Sequence, residues 1–600
     1  MLALTLAGCP RRPPPPTPAP VVASADTASH ADDAGPAPPP APATTDRWTR
    51  AYTNDPLRPE ESRSLMAEVA VRDGDGAALT LGRRTPLDGL PAVLGTLPPQ
   101  RLDVFLRGIT GRPLGALAMP PSWRARWAQE PASVPLGTIF GRNAMSLEAP
   151  AAAVVQSMLL DGDVEHQVAG ARALQNASVA VPPVASLLAL HPVAFPIAVR
   201  SLAQRGGVTT TVWLNLLAAL GARVQNNPRS WGGAWLALLE SMPPDDPALR
   251  ASLTALEPSL STLELTPAPV QAAWRCALAL HLDRFDAGRR TETCATGDEA
   301  WRVVATLAER ARPPMPPAQL AQTLRDLLPR AGSEPRAIEP IAEAAALLPA
   351  VYARPLFATL AGQRDPGVLA ALLGAMQAHP EHARAMAPAA LSQLLQAPFD
   401  LPEPVSLEAR LHAVALRRDL HLTGASPETT VRALRQAAEP DAGIGPADGV
   451  LAPAAGAGTW VLHTTAGTIR IALRADTAPE ALRVLADATR AGTYAHTVFH
   501  RVVPGFVAQG GDPRHDGYGG TTRIVTTELS GARFERGAVG VALAGLDTGG
   551  MQFFITLADA PHLDARYPYL GQVVEGMNIA DRLLPGDEIV DATVEAPGGP

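Results

Sequence analysis

Six hundred residues exceed what one hydrophobic core organises, so the chain is expected to fold as several domains. Hydrophobic residues supply 46% and charged residues 18%, enough apolar content for folded cores; aromatics supply only 4%, which suits packed helices of Leu, Ala and Val better than β-sandwiches. The formal net charge of −8 argues against nucleic acid as a partner, and the absence of any lysine excludes Schiff-base and P-loop chemistry.

The chain opens MLALTLAGC and continues into a Pro/Ala-rich tract over residues 10–46. Leu6-Ala7-Gly8-Cys9 resembles a bacterial lipobox, where the signal peptide is cut before a cysteine that is then lipidated. The apolar stretch before Cys9 is shorter than the roughly 7–15 residues of a secretory signal and has no basic residue; either residues 1–9 are a truncated signal, or Cys9 is incidental. The Pro-rich tract reads as a disordered tether between an anchor and a folded body. The lipoprotein reading implies a bacterial cell-envelope address, periplasm-facing, with membrane contact only through a lipid at Cys9. Cys276 and Cys294 sit in a helix–turn–return pattern. They form a disulfide if the chain is exported, or stay as two buried thiols. No Cys/His cluster has metal-ligand spacing, so neither a metal nor a cofactor is expected.

Residues 47–439 read as helical, with apolar residues at three- and four-residue spacing broken by Pro, Gly and Asp-rich turns. Expected helices cover Ala152–Leu160, His166–Leu174, Ala300–Ala311, Pro317–Leu328, Val351–Leu360, Val368–Gln377 and Glu381–Leu395. Segments such as DPGVLAALLGAMQAHPEHARAMAPAALSQLL resemble HEAT-like repeats, in which Asp caps a helix and Pro takes its first position. The fold expected here is a HEAT-like α-solenoid, with an irregular bundle as the competing arrangement. Trp213, Trp231, Trp235 and Trp274 are expected to fill the core, and the scattered histidines to be solvated or packed. A solenoid's extended surface would suit a protein partner.

Residues 440–457 read as a flexible linker, and the texture then changes. Trp460–His463 and Thr468–Leu473 read as strands joined at Ala466-Gly467, and Ala478–Thr489 as a helix ended by Gly492. Thr497–Asp512, TVFHRVVPGFVAQGGD, closely resembles the cyclophilin signature. Gly517–Thr521, Phe534–Gly537, Gly550–Ile555 and His562–Val573 match further family segments in order, and the domain is placed at 458–597. The resemblance implies an eight-stranded antiparallel β-barrel with two helices and peptidyl-prolyl cis/trans isomerase activity on proline-containing peptides. It also implies site roles. Arg501 is the catalytic donor and Gln509 orients it and the substrate carbonyl. Phe506, Val507, Phe554 and Leu563 line the proline slot with Tyr567 at its rim; Gln552, Leu543 and His562 flank it. Departures from the family are Val507 for Met, Leu543 for Asn, His562 for Trp and Met551 for a small residue. The Trp replacement implies weak cyclosporin binding, and His500 reads as structural.

Two functions fit. One is an envelope folding assistant whose helical region docks clients; the other is a scaffold whose barrel binds Pro-containing peptides with little turnover. The first predicts full turnover by residues 456–600 alone.

Overall fold

The computed structural model describes residues 75–85, 99–110, 139, 151–177, 179–243, 246–261, 316–331, 335–401, 407–422, 458–520, 523–545 and 547–596. Cys9, Trp274, Cys276, Cys294, the helix expected over Ala300–Ala311, the tract 10–46 and the linker 440–457 lie outside them.

Helices α1 (Asp75–Arg84) and α2 (Pro99–Ile109) cross closely. A Cβ on Gly82 would meet the Phe105 carbonyl oxygen at 2.1 Å, and one on Gly108 the Leu79 carbonyl oxygen at 2.4 Å, so both positions require glycine. Then come α3 (Ala151–Leu160), α4 (Val164–Ala173), α5 (Val184–Leu188), α6 (Ala194–Arg205), α7 (Thr210–Asn226), α8 (Pro228–Ser241) and α9 (Pro247–Ser261). Alternate helices pack on one another: α4, α6 and α8 make one layer, and α5, α7 and α9 the other. The second group repeats the plan with α10 (Pro317–Ala331), α11 (Pro335–Ala346), α12 (Ala350–Leu360), α13 (Pro366–Ala378), α14 (Pro380–Arg384), α15 (Pro388–Gln396) and α16 (Leu407–Asp419). Here α11, α13 and α16 form one layer, and α10, α12 and α14 the other.

Local chemistry explains the boundaries. Asp163 caps α4 by accepting the Glu165 and His166 backbone N–H groups, and Asp365 caps α13 through those of Gly367 and Val368, with Pro366 following it. The single helix expected over Glu381–Leu395 is instead two, α14 and α15. Pro388 drives Ala387 into an extended conformation and so breaks the run. Trp213 and Trp235 are buried as expected, whereas Trp231 is half-buried beneath the Arg223 guanidinium, 4.6 Å from the ring centre.

The barrel comprises β1 (Thr459–Thr464), β2 (Gly467–Leu473), β3 (Arg501–Val503), β4 (Val507–Gly510), β5 (Ala538–Val541), β6 (Phe553–Thr556), β7 (Tyr569–Glu575) and β8 (Ile589–Glu595). All pairings are antiparallel, in the order β3-β4-β6-β5-β7-β2-β1-β8. Val498, just before β3, bridges Glu588, just before β8, and so draws the two edges together. Helix α17 (Pro479–Arg490) lies on the barrel, and α18 (Met577–Ala580) is a single turn. Trp460, Tyr494, Phe499 and Phe553 fill the interior edge to face, at ring-centre separations of 4.8–6.0 Å.

One core runs continuously from the first helical group into the barrel; the second group has its own. The layer α4–α6–α8 faces the barrel: Arg229 of α8 pairs with the fully buried Asp587, and Gly233 approaches Leu584. From α11–α13–α16, Glu339 and Asp365 meet Arg514, Glu343 accepts a hydrogen bond from the Tyr518 hydroxyl at 3.1 Å, and Leu407 packs on Ile524. The inner helical surface thus has an occupant within the chain. Residues 456–600 alone would expose the apolar face that these helices cover and leave Asp587 without Arg229.

Candidate active site

Antiparallel pairing places directly opposed residues on one face of a sheet. Arg501 opposes Gln509, Gln509 opposes Phe554, and Phe554 opposes Gly540, a single row across β3, β4, β6 and β5. Their sequence neighbours Ala508, Phe553, Ile555 and Val539 point the other way, into the barrel core. A second, smaller apolar cluster therefore forms on the outer face, with Val507, Phe534, Phe554, Leu563 and Tyr569 buried and Phe506 and Tyr567 partly so. Gly540 is what makes room, since a Cβ there would come within 2.7 Å of both the Phe534 and Phe554 rings.

The cluster is a slot with a polar rim. Its floor is Phe554, Leu563 and Val507, each no more than 5% exposed. The Phe506 ring stacks on His562 at 5.1 Å, and Tyr567 stands perpendicular to Phe554 at 5.6 Å. Burial pushes the Tyr567 phenol up, so it stays a neutral donor. The Arg501 guanidinium carbon lies 5.6 Å from the Phe506 ring centre, at the slot edge. Gln509 donates to the Gln552 side-chain oxygen at 3.2 Å, and Gln552 donates in turn to the Gly517 and Gly519 carbonyls at 2.9 and 2.6 Å. The glycine-rich loop is thereby tied to the row that carries Arg501.

A relative sharing 36% identity over 140 residues, a peptidyl-prolyl cis-trans isomerase of Helicobacter pylori (strain J99 / ATCC 700824), is matched over 86% of its own length and 23% of this chain. The chain belongs to the cyclophilin family. The family model for cyclophilin type peptidyl-prolyl cis-trans isomerase/CLD matches residues 459–595. Peptidyl-prolyl cis-trans isomerase B of Bacillus subtilis (strain 168) is 37% identical over 129 residues, 90% of its length and 21% of this chain. A solved cyclophilin-type isomerase of Cryptosporidium parvum, crystallised in the presence of the dipeptide Ala-Pro, is 25% identical with a TM-score of 0.22, covering 23% of this chain and 99% of its own.

In this cyclophilin, eight of the ten expected site residues gather at the slot: Arg501, Gln509, Phe506, Val507, Phe554, Leu563, Tyr567 and His562. Leu543 and Gln552 border an open cavity of about 100 Å³ beside it, which Leu407 and Glu408 of α16 also line. Met551, which stands where the family has a small residue, also lines it. His500 is uncharged at neutral pH: burial pushes it down to about 4, against the pull of Asp516. The sequence assigns no slot role to Gly540, Phe534 or Tyr569; β5 is buried throughout and carries no alternation that would single out Gly540. The sequence also shows no ligand spacing among the histidines, yet the turn into α14 draws His379, Glu381 and His382 within 4.8 Å of one another. That cluster belongs to the helical region and adds nothing to the slot.

Proposed function

We propose that this chain is a peptidyl-prolyl cis/trans isomerase that accelerates rotation about Xaa-Pro bonds in protein substrates. The observation that carries this reading is the Arg501–Gln509–Phe554 row, which sets a guanidinium at the rim of a buried apolar slot. The amide's partial double-bond character imposes a barrier of about 18–20 kcal/mol, and no covalent step is needed to lower it. The proline ring seats against Phe554, Leu563 and Val507. As the bond twists, the prolyl nitrogen becomes pyramidal and gains a lone pair. Arg501, permanently protonated and rigid, donates to it; the bond exists only in the twisted state, so it favours that state over both planar ones. Gln509, held by Gln552, orients the flanking carbonyl.

In the cell we read it as a folding assistant of the bacterial envelope, tethered through Cys9 by the Pro-rich tract. The outer helical layer, α5–α7–α9 and α10–α12–α14, is the face left for a protein partner, since the inner layer holds the barrel. Among the described residues no helix is long and apolar enough to cross a membrane. Catalytic amounts of the full chain should shorten the exchange time of a short Xaa-Pro peptide, roughly tens of seconds uncatalysed. Exchange at the uncatalysed rate would contradict the enzyme reading. Loss of fatty-acid incorporation in Cys9→Ala tests the tether separately.

A further inference from the structure

We propose that the first helical group is a working part of the isomerase site, with Arg107, Glu165 and Arg172 as positioning residues that fix both walls of the proline slot. This rests on the isomerase reading above and adds a component that lies outside the 459–595 match.

One wall is the segment from Asp559 to Asp564, which carries His562 and Leu563. Arg107 of α2, buried beneath it, donates through Nη1 to both Asp559 carboxylate oxygens at 2.8 Å. Its Nε and Nη2 donate to Asp564 at 2.9 and 3.2 Å. One guanidinium therefore pins both ends of the turn that presents Leu563. Glu165 of α4 accepts the Asp559 backbone N–H on both oxygens, at 3.0 and 2.9 Å. Arg83 of α1 donates to the Asp564 carbonyl, and Asp564 accepts the Phe534 N–H at 2.8 Å, which carries the same anchor into the slot's apolar cluster.

The other wall is the turn before β4 that carries Phe506. Arg172 of α4 donates to the Gly505 carbonyl. Ile197 of α6 lies so close that a Cβ on Gly505 would stand 2.0 Å from its terminal methyl, and Gly505 itself has φ +68°. The two walls meet where Phe506 stacks on His562. Four helices thus hold the Phe506 turn and the segment that carries His562 and Leu563 in place around the slot.

The slot binds the proline ring in planar and twisted states alike, so loosening its walls costs ground-state and transition-state binding equally and appears in KM. Losing the Arg501 donor appears in kcat. The experiment uses the full chain, with peptide affinity and exchange rate both followed on the peptide's NMR signals. Arg107→Met is compared with Arg229→Met, which breaks the buried ion pair to Asp587, an inter-domain contact that touches no slot residue. Arg107→Met is expected to raise KM about 10-fold with kcat within about 2-fold, while Arg229→Met leaves KM unchanged at a comparable loss of stability. Glu165→Ala, which removes the hold on the Asp559 backbone together with the charge that faces Arg172 and Asp559, repeats the KM shift in milder form and serves where Arg107→Met does not fold. Wild-type KM in folded Arg107→Met or Glu165→Ala, or an equal shift in Arg229→Met, overturns the inference. Absence of turnover in the wild-type chain would instead sink the isomerase reading on which it stands.

Discussion

Arg514→Met perturbs the contact between the barrel and the second helical group. In the intact chain the Arg514 guanidinium donates to Asp365 at 2.8 and 3.0 Å, to Glu339 at 3.2 Å and to Asp516 at 2.9 Å. Burial pushes Glu339 up to about 10, reinforced by Asp516 and opposed by Arg514, so Glu339 is protonated at neutral pH. Burial, with Asp512 adding to it, pushes Asp516 up to about 6 against Arg514. Removing one partner of a buried ion pair costs about 3–5 kcal/mol. Asp365 keeps some water and Glu339 is neutral, so the loss at pH 8 belongs near the lower end, about 3 kcal/mol. The Asp516 carboxyl titrates higher in the folded chain than its unfolded 3.8, so its stabilising protonated form is present below about 4 and lost as pH rises through about 6. Without Arg514 its folded value climbs further. At pH 5 that carboxyl is therefore neutral in the variant, and the deficit shrinks to about 1 kcal/mol. Urea denaturation of full-length wild type and variant at pH 5 and pH 8, followed by circular dichroism, gives both differences. Equal losses at the two pH values would refute the reasoning. Because Gln552 hangs on the Gly517 and Gly519 carbonyls of this same loop, peptide turnover should fall alongside stability.

Two further groups titrate with opposite signs. Burial pushes Asp559 up to about 7, with Glu165 and Asp564 adding to it and Arg107 opposing; the stability of its protonated form is present below about pH 4 and lost as pH rises through about 7. Relative to Asp559→Asn, the wild type should lose up to ~4 kcal/mol between pH 4 and pH 8 in urea denaturation, and a pH-independent difference would contradict the burial account. His500, held near 4 against 6.5 unfolded, stabilises the fold above about pH 6.5 and loses that contribution as pH falls toward 4. His500→Phe should abolish up to ~3 kcal/mol of that acid-side loss and leave peptide exchange unchanged. A parallel fall in exchange rate would give the imidazole a part in the reaction.

Local signals were read correctly from the sequence because their causes are local. Asp365 caps α13 and Pro366 opens it, whereas the same dipeptide at Asp512-Pro513 sits in a turn, and the alternation through β2 puts Ile469, Ile471 and Leu473 in the core. Among the described residues, the helix expected over Glu381–Leu395 is interrupted at Pro388, a signal present in the sequence but outweighed by the apolar spacing around it. The slot residues were legible through the family pattern, since Arg501, Gln509 and Phe554 lie in short, ordered segments. What stayed hidden is long-range. Arg107 and Asp559 are 452 residues apart, and nothing near Arg107 distinguishes it from the chain's other arginines. The same holds for Leu407 and Glu408, which line the cavity beside Gln552 only because α16 folds back onto the barrel. A helical surface that sequence reading offers to outside partners can be taken by the chain itself, and only the packing decides which.

The central claim is that Arg501 lowers the barrier to Xaa-Pro rotation by donating a hydrogen bond made only in the twisted state. The direct measurement is exchange of a short Xaa-Pro peptide by the full chain and by its Arg501→Ala and Arg501→Lys variants, with peptide affinity measured alongside. Loss of a donor that acts only in the transition state costs about 10²–10³ in rate. Both variants should therefore bind the peptide normally and fall by about that factor, lysine being no substitute for the rigid guanidinium. An Arg501→Ala chain that still exchanges the peptide at the wild-type rate would contradict the account.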